Sequence, residues 1–290
     1  MKTFSITEME LLTGIKMGTI RIWEKRYQLL LPVRNNGGNR LYSIDDLKKM
    51  LAISLLIKSK RRISYLAGLS TAELIRDSQS LDKDEQRFQK PLSDLIVAMY
   101  ELDYEALSFI LDSCLLTIES CEVMNKIVFP FLMKTGLIWN GSRLTEEHFA
   151  VTIMRNKLIR CIEEIGINQH PGKKILLFLP DTKQLDLLLL FTQFQLKKSG
   201  FAVIYMGYDV TMPNLETIIR LKKPHYIFTY LPQKTKFKIQ TLSAIIESLA
   251  PATRCIIVRN IDEPIEPLGN QNIHIMNYDR ALTFLSGRSA

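Results

Sequence analysis

The sequence predicts a multidomain protein: an all-α winged helix-turn-helix, then a four-helix bundle, then an α/β flavodoxin-like (Rossmann-like) parallel sheet. Three observations predict it. Capped helices flank an Asn-Gly-Gly turn in a strongly basic first quarter. Residues 92–167 are poor in glycine and repeat apolar residues at spacings of three and four. After residue 172, five compact apolar runs alternate with helical patterns.

The chain has 290 residues, 47% hydrophobic and 23% charged, which is enough for two or three globular domains. No run approaches the eighteen uncharged apolar residues of a membrane span, and no signal-peptide pattern opens the chain, so a cytoplasmic protein without membrane contact is expected. Cys114, Cys121, Cys161 and Cys255 form no Cys-x-x-Cys pair, which argues against a zinc site or a disulfide framework. Charge is segregated. Residues 1–76 hold 14 Lys and Arg against 6 Asp and Glu, while residues 77–290 hold 24 of each kind. Basic charge concentrated on a small module is the footprint of a polyanion binder, because each neutralised phosphate releases condensed counterions.

Within residues 1–76, Ser5-Ile-Thr-Glu8 matches a capping box for a helix over 7–13, stopped at Gly14. A second helix is predicted over 17–27, with Ile20, Trp23 and Tyr27 on one side and Thr19, Arg21, Lys25 and Arg26 elsewhere, the spacing of a helix-turn-helix. Leu30 to Tyr42, broken by Asn36-Gly37-Gly38, reads as a two-stranded hairpin. Arg34 and Arg40 flank its tip, as on a wing laid along a phosphate strand. Ser43-Ile-Asp-Asp46 caps a third helix to about Lys58, and a fourth starts near Ile63.

Thr19-Ile-Arg-Ile-Trp-Glu-Lys-Arg-Tyr27, Leu29-Leu-Leu-Pro32 and Gly37-Gly-Asn-Arg-Leu-Tyr-Ser43, in this order, resemble the signature of the MerR family of bacterial transcription regulators. The resemblance implies a dimer whose second helix enters the major groove and whose wing contacts the backbone. It makes Thr19, Arg21, Lys25 and Arg26 groove or phosphate contacts, and Arg34, Asn36 and Arg40 wing contacts; Lys16 and Tyr42 complete the expected DNA-binding set. Trp23 and Tyr42 also fit the core of such a module. Lys60, followed by Arg61 and Arg62, fits a solvated helix junction or a further backbone contact. The chain departs from the family at Gln28, where glycine is common, and at Asn39, where an aromatic is common.

A polar linker is expected over 77–90, and a bundle over 91–168 with helices at about 91–101, 103–114, 118–139 and 144–167. Trp139-Asn-Gly-Ser142 followed by Glu146-Glu147-His148 resembles the helical half of the cobalamin-binding module of CarH/LitR-type MerR regulators. There a tryptophan covers the upper corrin face and a Glu-His pair follows. Here the spacer is shorter than in that pattern, which leaves His148 equally readable as a structural helix residue.

Residues 172–287 carry the five strand runs, at Lys173–Pro180, Phe201–Met206, Tyr226–Leu231, Cys255–Val258 and Ile273–Met276, with helices at about 184–199, 213–222 and 237–249. Ligands of such sheets bind beyond the strand C-termini, here after Leu179, Met206 and Leu231. Phe201 to Val210 extends the resemblance to cobalamin-binding domains, whose first loop reads acid-x-His-x-x-Gly. In them the histidine ligates cobalt and the glycine lets the nucleotide tail pass. This chain reads Asp181-Thr-Lys183-Gln-Leu-Asp186: lysine, protonated near neutral pH, offers no lone pair, and Asp186 adds a charged side chain. The family's Ser-x-Leu is Thr229-Tyr230-Leu231, and its paired glycines are Arg259-Asn260. The cobalamin motif is degenerate. Lys183, Asp186 and Tyr230 fit the lining of a pocket for another ligand, but a solvated loop is the expected account of each.

These readings lead to a sequence-specific DNA-binding transcription regulator acting as an oligomer on a near-palindromic promoter site, without bound cobalamin or metal. Its expected partners are double-stranded DNA, itself as homodimer or tetramer, and RNA polymerase. The alternative is a cobalamin-dependent light-sensing repressor of the CarH/LitR type. An enzyme is not expected, since no activated Ser or Cys with a His partner, metal-ligand spacing or Gly-rich phosphate loop occurs.

Overall fold

The computed structural model describes residues 2–78, 84–136, 145–166, 172–180, 185–232, 237–259 and 271–286. The chain forms two compact units, Met1–Met154 and Arg155–Ala290.

The first unit opens with strand β1 (Phe4–Ser5), helices α1 (Ile6–Thr13) and α2 (Met17–Tyr27), strands β2 (Val33–Arg34) and β3 (Arg40–Tyr42), and helix α3 (Ile44–Lys58). The capping boxes form as the sequence predicts. The Ser5 hydroxyl accepts from the Glu8 N–H at 3.2 Å while the Ser5 N–H donates to the Glu8 carboxylate at 2.7 Å, and Ser43 and Asp46 repeat the exchange at the start of α3. Helix α2 ends at Gln28 in the left-handed region, φ +50°. That conformation is strain-free only for glycine, which is why glycine is common there. Strand β1 is too short to show any periodicity. It exists because β3 offers it a free edge, with Phe4 opposite Tyr42.

The fourth helix is split into α4 (Ile63–Leu66) and α5 (Thr71–Asp77). The bundle helices are α6 (Lys90–Glu101), α7 (Tyr104–Thr117), α8 (Ser120–Val123), α9 (Phe129–Lys134) and α10 (Thr145–Glu164), the last of which runs past Met154 into the second unit. The helix predicted as continuous from 118 runs through a π turn at Met124–Val128, and another π turn, Glu85–Gln89, leads into α6. Each π turn ends two residues before a proline, Pro130 and Pro91. A proline ring cannot supply an N–H to the carbonyl four residues back, and widening the turn relieves the clash.

The winged helix and the bundle share one core in this unit. The Phe4 ring meets the Tyr100 ring edge-on, centroids 4.8 Å apart. Lys48 of α3 pairs with Glu101 of α6, and the Lys134 ammonium donates to the Leu12 carbonyl at 3.0 Å.

The second unit is a five-stranded sheet of β4 (Lys174–Phe178), β5 (Ala202–Tyr205), β6 (Tyr226–Tyr230), β7 (Arg254–Val258) and β8 (Ile273–Met276). All pairings are parallel and the spatial order is β5-β4-β6-β7-β8, the flavodoxin-like order. The central strands β4, β6 and β7 are buried along almost their whole length, as unbroken apolar runs require when helices cover both faces. Helices α11 (Asp186–Lys198), α12 (Met212–Lys222) and α13 (Ile239–Leu249) occupy the predicted places. A terminal helix α14 (Tyr278–Ser286), absent from the sequence reading, packs beside β7. No described helix is long and apolar enough to cross a membrane.

Candidate nucleic-acid interface

Helix α2 is set on α1 by Glu10. Its carboxylate accepts the Met17 N–H at 2.9 Å, at the start of α2, and pairs with Lys16 at 3.0 Å. These bonds hold the Glu10 carboxyl below its usual range, the Met17 N–H contributing most. With Ile20 buried against the core, the opposite side of α2 leaves Arg21, Lys25 and Arg26 exposed, with Thr19 half-buried at its margin. The Arg26 guanidinium lies 5.3 Å from the centre of the Tyr27 ring.

The wing is pinned from below. Glu24, 11% exposed, accepts the Arg40 Nε–H at 2.9 Å and the Tyr42 O–H, binding β3 to α2. Tyr42 is fully buried, so it belongs to the core and cannot touch a nucleic acid from this position. Burial, and then Glu24, push its hydroxyl well above the ordinary phenol range. Arg40, 31% exposed, is likewise engaged within the protein. Both residues are drawn inward by Glu24, which the sequence analysis did not single out; its one signal was an acidic residue in the midst of a basic helix.

At the wing tip, the Asn35 carboxamide oxygen accepts the N–H groups of Gly37 and Asn39 at 3.0 and 2.9 Å. Arg34 donates to the Gly38 carbonyl at 2.9 Å, and Asn36 is exposed. Lys16 and Lys60 are exposed too, Lys60 with φ +64° just past the end of α3, beside exposed Arg61 and Arg62. The candidate contacts therefore fall on three elements: the exposed side of α2, the wing tip and the α3 C-terminus.

The expected cofactor loop of the second unit lies partly outside the described residues, with Asp181 and Lys183; so do Trp139 and the side chain of Glu147 in the first unit. His148 is an exposed residue of α10. The expectation of a solvated loop is corrected at Asp186 and Tyr230, each 1% exposed. Asp186 opens α11, where one carboxylate oxygen pairs with the Arg155 guanidinium of α10 and the other accepts the Tyr205 O–H at 2.6 Å. Burial and then this carboxylate push the Tyr205 hydroxyl upward. Tyr230 closes β6, and its hydroxyl shares a 2.6 Å hydrogen bond with that of Thr192; Thr229 before it is fully buried. Strands β4 and β6 flank the point where the strand order reverses, the place such sheets use for ligands, and Thr229 and Tyr230 end β6 there. Among the described residues, no group of three or more His, Cys, Asp or Glu could hold a metal ion.

A winged helix-turn-helix with an exposed basic helix face defines a DNA-binding regulator module. The chain belongs to the MerR family: the family model described as "MerR HTH family regulatory protein" matches residues 4–71. The HTH-type transcriptional regulator TnrA of Bacillus subtilis is 32% identical over 103 residues, 34% of this chain and 86% of that protein. Over a longer span the chain is similar to two proteins of Myxococcus xanthus. The HTH-type transcriptional repressor CarH is 22% identical over 235 residues, 78% of each chain. The repressor CarA is 24% identical over 216 residues, 74% of this chain and 71% of that one. Among solved structures, the monomethylamine corrinoid protein of Methanosarcina barkeri superposes with a TM-score of 0.53 at 14% identity, covering 69% of this chain and 99% of that one. The fold of the C-terminal region is thus cobalamin-binding-like.

Proposed function

We propose that this MerR-type regulator binds a near-palindromic promoter site as a homo-oligomer, through Lys16, Thr19, Arg21, Lys25, Arg26, Arg34, Asn36 and Lys60, and does so without bound cobalamin. The observation that carries the DNA-binding reading is the exposed arginine and lysine side of α2, buried on its opposite side by Ile20 and braced to the wing through Glu24. Arg21, Lys25 and Arg26 supply charge to phosphates or donors to base edges, while the wing tip brings Arg34 to a neighbouring phosphate. Arg40 and Tyr42 act as supports of the wing. Two-fold symmetric protein and inverted-repeat DNA match each other, which favours a dimer or a tetramer.

The residues of the crevice do not fit base-off cobalamin. The position that the cobalamin-binding motif leaves to glycine holds a buried, ion-paired aspartate, and the Tyr230–Thr192 pair is buried in the same unit. We read the α/β unit as a scaffold that keeps the cobalamin-binding fold and has lost the cofactor. Selection of bound fragments from genomic DNA tests the main reading: an inverted repeat recovered from a promoter supports it, and a pool with no enriched sequence overturns it.

A further inference from the structure

Helix α2 carries two exposed features that its own protein leaves unexplained. Ile22 is 60% exposed, in a helix whose other exposed side chains are charged. Gly18 lies one turn before it. Its backbone is not left-handed, and a Cβ added there would meet nothing within 4 Å. Neither conformation nor packing within the chain calls for glycine, and alanine is the better helix former. At 100° per residue, Arg21, Lys25, Gly18, Ile22 and Arg26 follow one another across an arc of about 140°, with Ile20 on the far side. The apolar side chain and the bare backbone therefore lie at the centre of the basic surface, flanked by cations on both sides.

Cations at the edges of such a surface suit the two phosphate strands that border a groove, and its centre faces the bases. Among the four bases only thymine offers a methyl group in the major groove, and an aliphatic side chain is its natural apolar partner. We propose that Ile22 reads a thymine 5-methyl group in each half-site, and that Gly18 is bare because the DNA approaches the helix there too closely for a side chain. This rests on the DNA-binding reading above.

The test uses the full-length protein and a site obtained by selection. Each thymine of a half-site is replaced in turn by deoxyuridine, which removes only the methyl group. The wild-type protein is expected to lose about fourfold in affinity at one thymine, the value of one desolvated methyl-sized group. Ile22→Ala should bind the unmodified site more weakly and be indifferent to that same replacement. Gly18→Ala should melt at a higher temperature and bind the selected site at least tenfold more weakly. Equal loss at that thymine in wild type and Ile22→Ala overturns the assignment, as does insensitivity of the wild type to every thymine methyl. So does undiminished binding by Gly18→Ala. Failure of the DNA-binding reading itself would show separately, as no selected site at all.

Discussion

Glu24 of α2 accepts the Arg40 Nε–H of the wing strand at 2.9 Å, so an arginine that the sequence places on the phosphate backbone is held by its own protein. The same carboxylate takes the Tyr42 hydroxyl. Two arginines of the family signature, Arg21 and Arg40, should therefore behave differently. Arg21→Ala should weaken DNA binding and flatten its salt dependence by about one phosphate equivalent. Arg40→Ala should lower the melting temperature and leave the salt slope nearly unchanged. Binding measured from low to moderate salt separates them, and equal slopes for the two variants would contradict this division.

Removal of the shared acceptor should cost more than removal of either donor. Glu24→Ala leaves a buried phenol and a partly buried guanidinium without their acceptor, a loss of roughly 1–3 kcal/mol. Chemical denaturation should show it, with the helical circular dichroism of the folded state intact. Stability equal to wild type would mean that the wing does not depend on Glu24.

In the α/β unit, Asp186→Leu strands the Arg155 guanidinium beside an apolar group. Breaking a buried pair costs about 3–5 kcal/mol; Arg155 is one-third solvated, which places the expected loss nearer 2 kcal/mol. Replacement of both residues by leucine should recover the part due to the unpaired guanidinium, while the part due to the Tyr205 hydroxyl, which loses its acceptor in either variant, remains. A double variant no better than Asp186→Leu would argue that the pair is more than a solution to burial.

Incubation of the purified protein with hydroxocobalamin followed by gel filtration should leave a colourless protein, because a paired aspartate stands where the cobalamin-binding motif has glycine. A red protein fraction would restore the alternative of a cobalamin-dependent sensor.

His274 adds a pH dependence. Burial, and then the nearby Arg254 charge, lower its pKa below the ordinary 6.5. The unfolded chain therefore takes up the proton first. The stability contributed by neutral His274 is full above about pH 6.5 and declines as pH falls below that value toward its lowered folded pKa. Thermal melts of His274→Gln should show a shallower loss between pH 7 and pH 5 than wild type; parallel curves would remove His274 as the cause.

The local elements were legible because their causes lie a few residues apart. Ser5 and Glu8, or Ser43 and Asp46, are close enough in sequence for a capping box to be read directly, and the limits of α2 match at both ends. Long apolar runs announced the buried strands. The interruption of the helix at Met124–Val128 was missed although Pro130 was visible, because sequence does not say whether a proline ends a helix or is absorbed by a wider turn. Strand β1 and helix α14 were missed because each is fixed by its neighbour.

Of the candidate interface, sequence supplied the inventory and structure assigned the partners. By itself the sequence determined the segregation of basic charge, the helix limits and the alternation of strands and helices, since each is set by composition or by bonds spanning three or four residues. Only the tertiary structure decided that Arg40 and Tyr42 turn inward to Glu24, 16 and 18 residues away, and that Asp186 is buried against Arg155. A charged group takes whichever opposite charge the packed chain brings within hydrogen-bonding distance, and that choice exists only once the helices and strands have been placed.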